Sequence, residues 1–194
     1  MNSFTGIEKV QMMRRAKERL AGNWGSAVVA TLVYLVISAV AGSVYVGELL
    51  LYGPLCLGYI LYITALFDTR TDNLNLLFSG FNRFVQTMVA GLLYAIAVSI
   101  GMALLIVPGI ILMCGFSMTF FIMAEDPNIS GVDALKASWN MARGYKWDIF
   151  CFGLRFLGWF LLCLLTCGIG LLWLYPYITA SMLCYYRRLR YGAF

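Results

Sequence analysis

The sequence predicts an all-α polytopic membrane protein: six transmembrane helices arranged as three helical hairpins, with amphipathic helices on the cytoplasmic side. Three observations carry this reading. They are a composition poor in charge, a long charge-free stretch divided by a Pro-Gly pair, and basic residues gathered on one side of the implied spans. Hydrophobic residues make up 62% of the 194 and charged residues 12%, with a mean hydropathy of +0.83. Soluble domains run near half apolar and a quarter charged. The useful unit is therefore the span, since ~20 apolar residues cross the ~30 Å hydrocarbon layer.

The chain divides into an amphipathic N-terminal segment (1–23), a single membrane domain (24–186) and a basic C-terminal tail (187–194). The hairpin units lie at about 24–67, 84–124 and 148–186. In the first, residues 24–46 and 47–67 are each near spanning length. A basic start followed by Ala39-Val40-Ala41 offers a cleavable-signal pattern. The 23-residue polar region is long for such a signal, and the apolar stretch runs on past Ala41 to spanning length. In the second unit, Phe84 to Ala124 holds no charge in 41 positions; as one helix it would measure ~60 Å, twice the bilayer core. Proline lacks a backbone N–H and disfavours helix at the residue before it, so Val107-Pro108-Gly109 is expected to end one helix and begin the next. In the third unit, residues 149–167 and 169–186 flank Gly168-Ile169-Gly170.

Irregular backbone cannot face lipid unsatisfied, so the connections at Val46-Gly47-Glu48, Pro108-Gly109 and Gly168-Ile169-Gly170 should share one interface. Of the 14 basic residues, all but Arg155 fall on the opposite side. The positive-inside rule makes that side cytoplasmic, with both termini inside and only Glu48 in the outer loops. The net charge of +5 is then an orientation signal, with no nucleic-acid partner implied.

A repeat runs through this plan. Gly22-Asn23-Trp24, Gly80-Phe81-Asn82-Arg83-Phe84 and Gly144-Tyr145-Lys146-Trp147 each enter a span, their aromatics 60 and 63 residues apart. The returning helices carry Pro54, Pro108 and Pro176 near their outer starts, marking candidate interface or hinge positions at Pro54, Pro108, Gly109 and Pro176. Before each entry, apolar residues recur at helical spacing: Val10, Met13, Lys17 and Leu20; Leu74, Leu77 and Phe81; Leu135, Trp139 and Ala142. Two readings stand for these segments: helices lying on anionic headgroups, or extensions packed on the bundle.

In the third unit Ala134-Leu135, Ser138-Trp139, Met141, Gly144, Lys146-Trp147, Phe156, Gly158-Trp159, Thr166, Gly168-Ile169-Gly170, Leu172-Trp173-Leu174 and Pro176-Tyr177 form a signature. With Gly53-Pro54-Leu55, Gly58, Phe78-Ser79-Gly80-Phe81, Pro108-Gly109-Ile110, Glu125 and Pro127, it resembles the bacterial membrane family catalogued as domain of unknown function 975. The resemblance runs from about Gly53 to Tyr186. It implies a polytopic inner-membrane protein, distantly similar to the membrane domain attached to some glycerophosphodiester phosphodiesterases, and supplies no activity. The chain departs from the pattern at Leu112-Met113, where a polar or basic residue is common, and at Arg155, where a small polar residue is usual.

The chain has no histidine, which removes Ser-His and Cys-His catalysis, imidazole metal sites and histidine proton relays. Glu125 and Asp126, with Asp133 and Asp148, form an acidic group able in principle to do acid-base work; its plainer reading is helix-start charge around the Asp126-Pro127-Asn128 turn. Cys56, Cys114, Cys151, Cys163, Cys167 and Cys184 lie in apolar stretches without a C-x-x-C pair and read as packing residues. Gly91 with Ala95, Ala97 with Gly101, and Gly153 with Leu157 and Gly158 suggest close helix contacts. Trp24, Trp147, Trp173, Tyr175, Tyr177, Tyr185 and Tyr186 suit interfacial belts.

Arg155 is the one charge inside an expected span, seven residues past Asp148 and so ~10 Å deeper. It is the candidate contact for an anionic ligand or lipid; the alternative is a snorkelling arginine that pairs with Asp148. The function expected is a non-enzymatic inner-membrane protein that holds lipid or partner membrane helices, its partners being the bilayer, anionic lipids at the cytoplasmic face and other membrane proteins. No cofactor, metal or catalytic residue is implied. The alternative is a small transporter or export accessory for a hydrophobic or lipid-like cargo, which flux in proteoliposomes would distinguish.

Overall fold

In the computed structural model, which describes residues 6–42, 45–165 and 168–192, the chain is helical with no strand among those residues. An amphipathic helix α1 (Gly6–Leu20) turns by 97° into α2 (Trp24–Gly42), which packs on α3 (Tyr45–Thr69). A short α4 (Leu76–Ser79) and a 3₁₀ turn (Gly80–Arg83) lead into α5 (Phe84–Leu104). Then come α6 (Ile106–Phe116), α7 (Thr119–Glu125), α8 (Gly131–Met141), α9 (Lys146–Leu165) and α10 (Leu171–Tyr191).

The central element is α3, which touches α2, α4, α5, α7, α10 and α1. It buries Leu57, Tyr62, Ile63 and Leu66 completely. Three stretches are long and apolar enough to cross a membrane: Leu50–Thr69, Leu76–Leu104 and Val107–Glu125. A fourth arises if the bent pair of α1 and α2 counts as one. The expected spans at 149–167 and 169–186 are not among them. Of the first, the side chains of residues 164–167 lie outside those described; in the second, Trp173, Pro176 and the tyrosines, with Arg187, Arg188 and Arg190 following, lower the hydropathy of α10.

Residues 84–124 do divide, but three residues ahead of Pro108. Leu105 is extended (φ −164°, ψ 146°) and α6 starts at Ile106. Pro108 thus occupies the first turn of α6, where a missing N–H leaves no intrahelical bond unmade. Pro54 and Pro176 lie inside α3 and α10, Pro176 in the second turn of its helix and Pro54 deeper in its own. Residues 46–48 belong to α3; residues 43–44, the side chain of Glu48, Thr166 and Cys167 lie outside the described residues. Gly168-Ile169-Gly170 is a turn, as expected. Gly22 (φ +96°) and Gly144 (φ +92°) share a backbone state that side chains resist, at equivalent places in the first and third repeats. Gly80 does not share it: the second repeat enters its long helix through the 3₁₀ turn.

Close glycine contacts join the elements. A Cβ on Gly53 would lie 2.0 Å from the Thr87 carbonyl oxygen, one on Gly58 1.9 Å from that of Leu77, and one on Gly80 2.0 Å from that of Pro54. Thus Gly53, Pro54, Gly58 and Gly80, apart in sequence, are the seam between α3 and the α4–α5 segment. Gly101 and Gly109 form a second close contact, between α5 and α6. Gly153 and Gly158 instead face open space, so they contribute no contact within the described residues.

Candidate functional site

Helix α1 is packed on the bundle. It buries Met12, Ala16 and Leu20, at i, i+4 and i+8, mainly against α10. Val10 and Lys17, read as part of the apolar face, are exposed instead. The rotation follows from ion pairs the periodicity did not contain: Glu8 accepts from Arg188 at 3.1 Å, and Lys9 lies 2.8 Å from the buried Asp148 carboxylate at the start of α9. Asp148 is therefore held by Lys9, not by Arg155.

The stretch 187–194, read as a tail, continues α10 through Tyr191 and ties that helix to three others. Arg187 grips Asp68 of α3 with two 2.6 Å bonds, Arg188 meets α1, and Arg190 lies 3.2 Å from Glu125 of α7. The Asp68 carboxylate holds the Arg187 guanidinium above its ordinary pKa. Arg83 donates to the carbonyls of Met123, Asp126 and Pro127, pinning the start of α5 to the turn after α7. The charged groups thus meet at one end of the bundle.

The acidic group disperses. Glu125 accepts from Tyr186 at 2.8 Å and from Tyr191 at 3.1 Å. Asp126 accepts the Asn128 N–H, and Asp133 joins Ser130 in capping α8. Among the described residues no three His, Cys, Asp or Glu groups come together as a metal site. Arg155 is exposed on α9 and makes no hydrogen bond or ion pair among the described residues. Pro54 and Pro176 are buried, Pro108 half-buried, and Gly109 buried against Met102. Cys163 is buried, as a packing residue would be.

Sequence reasoning missed two polar features. Tyr34, Tyr59 and Tyr175 cluster with ring centroids 5.0–5.3 Å apart, and Tyr59 bonds Thr31 at 2.8 Å. Tyr185 and Tyr186 are fully buried and not part of a belt; Trp147 and Trp173 remain exposed. The second feature is a clasp at the break between α6 and α7. The buried Ser138 hydroxyl donates to Gly115 O at 2.9 Å and accepts from Met118 N at 3.2 Å. The neighbouring Trp139 ring lies where a Gly115 Cβ would clash, with the Lys146 ammonium 3.0 Å from its centroid. Burial, reinforced by Arg143, pulls the Lys146 pKa down. Ser138→Ala is expected to destabilise the fold by about 1–3 kcal/mol, the cost of stranding buried backbone partners; thermal unfolding in detergent checks this, and Ser138→Thr should retain part of the clasp.

Ser138, Trp139 and Lys146 belong to the signature read from the sequence, and the fold brings these three together at the clasp. Residues 98–192 match DUF975, described as a protein of unknown function. The DUF975 match takes in α6 to α10, and with them the clasp, Arg155 and the α10 arginines. Helix α1 and the Gly53–Gly80 seam lie ahead of it. No curated protein and no solved structure matches the chain.

Two hollows flank α1. On one side a groove of about 420 Å³ runs between α2, α9 and α10, walled by Trp24, Trp159, Leu162, Trp173 and Tyr177, with Lys17 as the only charge in its lining among the described residues. Lys17 makes no ion pair among the described residues. On the other side lies a cavity of about 510 Å³ lined by arginines.

Proposed function

We propose that the protein is a six-span, non-enzymatic component of the bacterial inner membrane, with both termini cytoplasmic, that holds lipid against its α9–α10 face. The observation that carries this is the groove beside α9. Its walls are apolar and aromatic and its single charge is an uncompensated Lys17. That combination suits an acyl chain lying along the helices with an anionic headgroup at the lysine. The gathering of charge at one end supports a common cytoplasmic side for Lys9, Arg83, Asp148 and the α10 arginines. Exposed Leu154, Leu157, Phe160 and Leu161 leave α9 the helix most open to lipid or to a partner helix.

The test is lipid retained through purification, identified by mass spectrometry, together with binding to vesicles of neutral or anionic composition. Lys17→Gln is expected to lower retained anionic lipid about fivefold, since one such charge contributes about 1 kcal/mol beside an anionic surface. Trp173→Ala should lower total retained lipid. The reading fails if the purified protein turns over a substrate, or if it neither binds anionic vesicles nor co-purifies with a membrane partner. Flux of a lipid-like cargo in proteoliposomes, blocked by closing the groove, would favour the transporter instead.

A further inference from the structure

We infer that the arginine-lined cavity on the far side of α1 is a phosphate site, distinct from the lipid groove. Its wall brings together Arg15 and Arg19 from α1, Arg70 from the loop after α3, and Arg187 from α10, around a floor of Phe67. The volume, about 510 Å³, lies within the ~300–1,000 Å³ common for small-ligand sites.

The two acids in the lining are already engaged. Asp68 takes both bonds of the Arg187 fork, and Glu18 accepts from Arg14 at 2.9 Å. Arg19 and Arg70 make no ion pair or hydrogen bond among the described residues. The guanidinium of Arg19 and that of Arg187 each lie 5.6 Å from the Phe67 ring centre, so one aromatic ring braces two forks at the cavity. Guanidinium pairs held in this way match the oxygens of a phosphate, which accepts several charge-assisted bonds at once.

Arg70 adds an independent observation. Its φ of 52° makes it the only non-glycine residue in the left-handed region among the described residues. Arginine gains nothing there from backbone preference, whereas glycine or asparagine would fit at lower cost. What arginine supplies at this position is charge at the cavity wall. The ligand class is a phosphate group, either on a lipid headgroup or on a small soluble molecule.

The full chain in neutral phosphatidylcholine nanodiscs, titrated with inorganic phosphate and pyrophosphate, tests the soluble source by thermal shift. Nanodiscs doped with phosphatidate test the lipid source. Wild type is expected to gain saturable stability in at least one arm. Arg19→Gln with Arg70→Gln should weaken the response at least about tenfold, the scale of one lost charge-assisted contact. Lys136→Gln, on the exposed face of α8, should leave it unchanged; Lys17→Gln should leave the soluble-phosphate response unchanged, which separates this site from the groove, where Lys17 meets anionic lipid. Arg70→Gly should raise the thermal midpoint of the ligand-free protein while weakening the phosphate response, an outcome a purely structural arginine would not give. A response that the arginine double variant loses in one arm alone identifies the source, and one that it loses in both means that the site takes phosphate from either; a phosphatidate response that the double variant keeps belongs to the groove and overturns the lipid source. No response in either arm, or equal losses in Lys136→Gln and the arginine double variant, overturns the site.

Discussion

Gly58→Ala is expected to be among the most damaging single-methyl additions in this chain, lowering stability by about 3 kcal/mol or more. A Cβ at that position would lie 1.9 Å from the Leu77 carbonyl oxygen and 2.7 Å from its carbonyl carbon, both backbone atoms. No rotamer change relieves such a clash, so α3 and α4 must separate. Overpacking a well-packed contact ordinarily costs about 1–3 kcal/mol, and more when the backbone must move. The loss would propagate, because Gly53 and Gly80 hold the same seam one helical turn and one chain segment away. Gly153→Ala is the matched control. No atom lies within 4 Å of a Cβ there, and alanine replaces glycine in a helix interior with a gain of up to about 1 kcal/mol. Thermal midpoints of both variants in the same detergent should move in opposite directions. Equal tolerance at the two positions would mean that α3 and α4 are not in contact.

The contrast shows which parts of this molecule can be read from its residues. That the chain is helical, that 84–124 must divide and that Gly168-Ile169-Gly170 turns all follow from span length, proline and glycine, which are local properties. Which face of each helix is buried does not follow. In a helix apolar all round, periodicity carries no direction, and beside the arginines that end α10, Tyr185 and Tyr186 resemble interfacial anchors and are in fact fully buried. The same loss of direction hid the tyrosine cluster, whose members come from α2, α3 and α10. In α1 the pattern does carry direction, yet partners far away in sequence reset it. Lys9 and Asp148 are 139 residues apart, Glu8 and Arg188 180. For the phosphate cavity, Arg15, Arg19, Arg70 and Arg187 were legible only as same-side charges. Their convergence on one cavity, with Arg19 and Arg187 over the Phe67 ring, is a product of the tertiary fold.

Lys9→Met should destabilise the protein by roughly 3 kcal/mol, the scale seen when one member of a buried ion pair is removed. Side-chain exposure is 13% for Lys9 and 6% for Asp148, so water gives this pair little of the screening that makes surface pairs weak. Methionine keeps the length and apolar stem of lysine, so the packing of α1 survives and the loss reports the charge. The Asp148 carboxylate then keeps its cost of desolvation without its cation. If that cost is the source of the damage, Lys9→Met with Asp148→Leu should recover much of the lost stability, because an apolar pair often replaces a buried ion pair at no penalty. The double variant also separates two roles for α1. Recovered stability with unchanged lipid retention would make the pair a staple for the helix. Recovered stability with lost retention would mean that the ion pair sets the angle at which α1 presents Lys17 to one hollow and Arg19 to the other. Because α1 meets α2 at 97°, a small change in its docking moves both side chains relative to α10. The second outcome is the one expected, since the groove and the cavity share α1 as a common wall.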